Sequence, residues 1–157
     1  MSQTTIAPVR YSVTVPIPAA QAFTLFTEGF NTWWIGHHIG QADLAEAVLE
    51  PREGGRWYER DVDGGECDWG TVLRFQPPER LDVTWQINSR LQYDPDRARA
   101  SEVEVLFTKK DGHTKVDLEH RYLERHGEGA DVVARYVSGS EGGWPPIMEG
   151  YARAAAA

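Results

Sequence analysis

At 157 residues, 41% of them hydrophobic and 25% charged, the chain has the length of one ordinary domain and enough apolar side chains to bury a core. Sixteen Lys and Arg against 24 Asp and Glu give a formal charge of −8 with no basic run, which argues against nucleic acid and anionic membrane surfaces as partners. No stretch has the apolar run of a signal peptide or of a membrane span of about 18 residues, and the lone Cys67 cannot close an internal disulfide, so the expected setting is cytoplasmic.

Taken in chain order, Tyr11, Val13 and Val15 alternate with polar residues and predict a first strand over 9–16. Pro18 opens PAAQAFTLFTE, whose apolar residues at 19, 22, 23 and 26 predict a short amphipathic helix with proline in its first turn. FNTWWIGHH then reads as a second short helical turn or an aromatic loop. From residue 45 onward, short apolar-alternating runs are divided by turn residues. AEAVLEP, RWYERD, CDWGTVLRF, RLDVTWQI, SEVEVLFTKK and HTKVDLEHRYL make about six strands, and Asp111-Gly112 is a hairpin signal. Short links imply antiparallel neighbours, with the first strand adding an edge that could pair with a second copy. GADVVARYV predicts a short helix. In the last segment Trp144, Ile147, Met148 and Tyr151 fall at i, i+3, i+4 and i+7, one helical face, again with prolines in the first turn. A half-buried sheet needs a cover, and this C-terminal helix supplies it. The expected fold class is α+β.

Strand parity sorts the candidate residues. Leu81, Val83, Trp85 and Ile87 share one face, as do Val103, Val105 and Phe107; in the last strand Val116, Leu118, His120 and Tyr122 point inward while Asp117, Glu119 and Arg121 point out. His120 is the polar exception on an apolar row. A histidine hydrogen-bonded in the core is favoured over a catalytic one by roughly two to one. A metal is not expected: Glu119 and Arg121 point away from His120, His126 lies past the strand end, and neither HExxH nor paired CxxC occurs. The adjacent His37 and His38 read as solvated, and Cys67 as a half-exposed strand residue. Neither a G-x-S-x-G elbow nor a Walker loop is present, and GEGADV lacks the third glycine of a dinucleotide fingerprint. What remains is an excess of aromatics. Trp33, Trp34, Trp57, Tyr58, Trp69, Trp85, Trp144 and Tyr151 sit where helices meet the sheet, suited equally to filling a core and to lining an apolar pocket with a few polar tips.

The segments VPIPAAQAFTLFT (15–27), EPREGGRWYE (50–59), CDWGTVLRFQPPERLDVTWQI (67–87), SEVEVLF (101–107), VDLEHRYLERHGEG (116–129) and GGWPPIMEGYA (142–152) run in order along nearly the whole chain. Through them the sequence resembles the SRPBCC, or START-like, superfamily, in the branch named after the activator of heat shock protein 90 ATPase. The resemblance implies a helix-grip (START-like, Bet v-like) fold. A curved antiparallel sheet of six or seven strands would wrap a long C-terminal helix, with two short helices after the first strand, in a single domain over 1–157. It also implies a cavity between sheet and helix for a hydrophobic or aromatic small molecule, a lipid or polyketide for example. Candidate lining residues are Trp33, Trp34, Trp57, Glu59, Trp69, Trp85, His120, Trp144, Ile147, Met148 and Tyr151, with Arg52 as a further polar contact. No cofactor is expected. A stress-response role with a chaperone as partner is the second reading, weakened because 157 residues leave no room for the co-chaperone's separate N-terminal domain. An enzyme using His120 on a bound aromatic substrate is the third, and monomer and homodimer are both open.

Overall fold

The structure, a computed structural model, describes residues 5–34, 42–140 and 142–157. His37 and His38 lie outside the described residues. In chain order the elements are β1 (Val9–Val15), α1 (Ala19–Thr27), α2 (Phe30–Trp33), β2 (Leu44–Leu49), β3 (Arg56–Asp61), β4 (Glu66–Gln76), β5 (Arg80–Trp85), β6 (Ser101–Lys110), β7 (His113–Arg121), α3 (Ala130–Ser138) and α4 (Trp144–Ala156). The strands form one seven-stranded sheet in the order β1-β7-β6-β5-β4-β3-β2, antiparallel throughout. β2 to β7 are therefore the predicted meander, and β1 joins its far end beside β7. Because β1 and β2 lie at opposite edges, the chain between them must cross the sheet, and α1 and α2 ride on that crossing.

α4 closes the concave side. Trp144, Ile147, Met148 and Tyr151 are all buried, so the stripe read from the sequence is the face that meets the sheet. Pro145 and Pro146 fall in its first turn, where their missing N–H groups have no intrahelical partner to lose. Two polar tips fasten the helical layer. The Tyr151 hydroxyl donates to the Ala22 carbonyl at 2.7 Å, and the Trp33 indole N–H donates to the Leu25 carbonyl at 2.9 Å. Burial holds the Tyr151 hydroxyl in its protonated, donating form by raising its pKa. Phe23 and Phe26 meet Phe107 edge to face, at ring separations of 5.1 and 5.7 Å, and so seat α1 on β6.

The sheet is bent at Gly70. Register shifts by one residue on each side of it, between Trp57 and Tyr58 of β3 and between Val72 and Arg74 of β4. A Cβ at position 70 would lie 2.0 Å from the Thr84 carbonyl oxygen, so only glycine permits this approach of β4 to β5. The bend turns Trp57 and Trp69 over Trp85.

One parity expectation fails. Tyr122 points out rather than in: its φ of 61° breaks the strand alternation, leaves the side chain 40% exposed and passes its inward place to Leu123. Its ring lies against Arg125, whose guanidinium carbon is 4.1 Å from the ring centre. On β5 the outward residues Asp82, Thr84 and Gln86 are buried as well. Arg80 covers Asp82 at 2.9 Å, and the Gln86 amide donates to the Asp94 carbonyl of the loop that folds over this strand.

Candidate functional site

The bend and α4 bring the tryptophans together. Ring centres are 5.9 Å apart for Trp34 and Trp57, 5.8 Å for Trp57 and Trp69, 5.3 Å for Trp69 and Trp85 and 5.7 Å for Trp85 and Trp144. Trp33 and Tyr151 extend the cluster through Phe26 and Phe30. Ile147 and Met148 pack from α4 into the same core. The space left among Phe26, Phe30, Trp34, Leu49, Trp57, Trp144 and their neighbours is a void of about 10 Å³. That is at the lower limit for a single water. The predicted cavity residues are thus all in one place, but they are packed on one another. Arg52 stands apart, on the surface beside Glu50. Glu59 is buried and accepts the Trp69 indole N–H at 2.8 Å, which sets the orientation of that ring.

His120 is fully buried at the end of this cluster, its ring 5.3 Å from Trp85. Trp144 Nε1–H donates to His120 Nδ1 at 3.0 Å. An indole can only donate, so Nδ1 carries no proton and the single proton of the neutral ring is on Nε2. Nε2–H in turn faces Ser101 Oγ at 2.7 Å, and Ser101 Oγ faces His126 Nε2 at 2.8 Å. Ser101 has no other acceptor among the described residues, so its hydroxyl proton goes to His126 Nε2. Burial, reinforced by His126, pushes His120 down to about 3; burial also pushes His126 down to about 4, against the opposing pull of Asp94. Both rings are neutral at pH 7.

His126 is where the buried chain reaches the surface. After Tyr122 the backbone makes a 3-10 turn, Leu123–His126, that folds the second imidazole back over the start of β6. A groove of about 540 Å³ lies outside it, lined by Asn88, Ser89, Arg90, Asp94, Arg99, His126, Glu128 and Gly129. Arg99 Nε donates to Asp94 at 2.7 Å and holds that carboxyl below the usual range. Next to the groove, sharing Asn88 and Ser89, is an apolar crevice of about 140 Å³ bounded by Trp85, Ile87, Leu91, Val132, Val133 and Tyr136. Gly129, at φ 86°, allows the start of α3 to approach the loop closely; a Cβ there would lie 2.4 Å from Ser89 Oγ. Leu91 is held at φ 58°, a costly conformation for a leucine, with its side chain 44% exposed at the crevice.

Sequence reasoning placed His120 correctly as an inward, hydrogen-bonded histidine but missed Ser101, His126 and the crevice. One signal was present: Ser101 shares parity with Val103 and Val105, a small hydroxyl ending an apolar row beside the His120 strand. Cys67 is partly buried, and desolvation together with Glu59, Asp61 and Asp68 raises its thiol pKa, the opposite of what a nucleophile needs. Among the described residues no three His, Cys, Asp or Glu side chains gather as a metal site, and no helix is long and apolar enough to cross a membrane.

No curated protein matches the sequence. Among solved structures, an anthrahydroquino-gamma-pyrone synthase, Txn09 complexed with SUM, is 38% identical over 98% of this chain and 99% of its own, with a TM-score of 0.67. The self-sacrificing resistance protein CalC from Micromonospora echinospora is 33% identical over 94% of this chain and 93% of its own, with a TM-score of 0.68. The Aha1 dimer from Colwellia psychrerythraea shares the fold at 12% identity over 73% of this chain and 75% of its own, with a TM-score of 0.52. The structural neighbours share the helix-grip fold. The family model "Activator of Hsp90 ATPase homolog 1-like protein" matches residues 16–154, which take in β2 to β7, α1 to α3 and all but the end of α4, and the chain belongs to that family.

Proposed function

We propose that the chain, as a single domain over 1–157, binds a flat, largely apolar aromatic molecule of the polyketide kind. The ligand lies in the crevice at the end of β5, with the tryptophan cluster as its rigid backing. The observation that carries this reading is Trp85. It bounds the crevice while packing on Trp57, Trp69, Trp144 and His120 behind it. Rings suit a site of aromatic and branched apolar side chains, because they bury area with little loss of internal freedom. Trp33, Trp34, Ile147, Met148 and Tyr151 form the next layer; entry of a ligand among them requires side chains to move, since the void there is about 10 Å³. The relative at 38% identity supports the chemical class, being named as a synthase of an anthrahydroquino-γ-pyrone.

Tryptophan fluorescence tests the reading. Tricyclic aromatic ketones titrated into the protein are expected to quench it, since Trp85 is in contact with the site. Val132→Asp places a charge at a residue 41% exposed on the crevice rim. It is expected to weaken binding about tenfold or more while leaving the melting temperature within a few degrees. Unchanged affinity in that variant, or no quenching by any such ketone, overturns the assignment.

A further inference from the structure

We infer that His126 presents a fixed N–H donor to the groove, and that the site accordingly takes an aromatic carbonyl compound, with the carbonyl oxygen on His126 Nδ1 and the rings in the crevice. This rests on the proposed binding of an aromatic ligand and specifies what that ligand must carry.

The direction of the donor follows from the chain of partners. Trp144 can only donate, so His120 must donate from Nε2, Ser101 must pass its proton on, and His126 must accept at Nε2. The proton of neutral His126 therefore sits on Nδ1. That nitrogen has no partner among the described residues, and it is not among the buried side-chain atoms left without one. It is open, and the space that His126 bounds is the groove.

The rest of the groove agrees in sign. Asn88 Oδ1 accepts from the backbone N–H groups of Arg90 and Gln92, at 2.9 and 3.1 Å, so its amide NH₂ is left as a donor. Arg90 is exposed on the rim. Of the two carboxylates at the groove, Asp94 is committed to Arg99 and to the backbone N–H of Asp96. Glu128 stands in solvent. Among the described residues the uncommitted donors of the groove are His126 Nδ1–H, the Asn88 amide and Arg90, which suits a ligand oxygen that accepts. Trp144, His120 and Ser101 touch no ligand in this arrangement; they are positioning residues.

The probes are xanthone, a tricyclic aromatic ketone, and xanthene, the same ring frame without the carbonyl. With the native protein xanthone is expected to bind about fivefold or more tighter than xanthene, the contribution of one neutral hydrogen bond. In His126→Phe that preference is expected to vanish. In Trp144→Phe the donor that fixes the chain is gone, both imidazoles can take the other tautomer, and the preference is expected to fall even though His126 is intact. The tautomer itself is read on the native protein by proton–nitrogen correlation of the imidazole rings, with His126 protonated at Nδ1 and His120 at Nε2. Equal binding of xanthone and xanthene, a preference that survives His126→Phe, or a His126 proton on Nε2 each overturns the inference while leaving aromatic binding standing. Failure of both probes to bind overturns the binding reading and this inference with it, whatever the tautomer.

Discussion

Lowering the pH from 7 to 5 is expected to remove about 3–4 kcal/mol of folding stability, with no carboxylate yet protonated in bulk. Burial holds His120 and His126 neutral in the fold, at about 3 and about 4, whereas both titrate near 6.5 in the unfolded chain. The unfolded state therefore binds more protons over this range. The stabilisation is fully present above about pH 6.5, declines as the pH falls below it, and is exhausted only near the folded values. The carboxylates held low in the fold behave in the same direction but in a lower window. Asp94 is held by Arg99 and Glu119 by Arg10, so their contributions are lost only as the pH falls through about 4 and below. Urea unfolding at pH 7, 6 and 5 separates the two. Near pH 5 the slope is expected to approach about 2.7 kcal/mol per pH unit, the value for two protons taken up on unfolding, and His126→Phe is expected to halve it. A flat profile between pH 7 and 5 means that the imidazoles are not buried as described.

Gly70→Ala is expected to destabilise the fold by at least about 3 kcal/mol, the upper end of overpacking effects. The new methyl would stand 2.0 Å from a backbone carbonyl and 2.8 Å from Thr84 Oγ1, in the centre of the sheet where neither strand can step aside. The same Thr84 hydroxyl accepts the Thr71 N–H and donates to Gln86, whose amide reaches the Asp94 carbonyl. A shift of β4 away from β5 therefore breaks the polar chain that ties down the loop beside the crevice. Thermal unfolding monitored by circular dichroism checks the size of the effect. A stable Gly70→Ala protein with native melting behaviour means that the bend is not held by this close approach.

Much of the fold was legible because a strand's side-chain period is two and a helix's is 3.6. Six apolar-alternating runs with Gly- and Pro-marked turns can scarcely form anything but an antiparallel meander, and the Trp144–Tyr151 stripe fixes which face of α4 is inward. His120 was readable for the same reason. Parity stops where the backbone leaves the strand. Tyr122 in the left-handed region ended the alternation one residue before it was expected to end, and nothing in YLERH says that the following turn returns His126 to Ser101. The buried chain joins residues 101, 120, 126 and 144, each held by a different element, so no local pattern contains it. The crevice is likewise made by the approach of the 87–91 loop to α3, a tertiary event. The aromatic excess was visible in the sequence. Whether it would enclose a space or fill one depended on the packing of Trp34, Trp57, Trp69, Trp85 and Trp144, which leaves about 10 Å³ in the interior and places the open volume outside Trp85.

The proposed position of an aromatic ligand is the crevice outside Trp85. Methyl-resolved NMR of the protein titrated with xanthone tests it most directly. The largest shift changes are expected at Ile87, Leu91, Val132 and Val133, which bound the crevice, with Leu49, Val83 and Val105 of the packed interior nearly unmoved. Changes centred on Leu49, Val83 and Val105, with Leu91 and Val132 silent, would contradict it and place the ligand under α4.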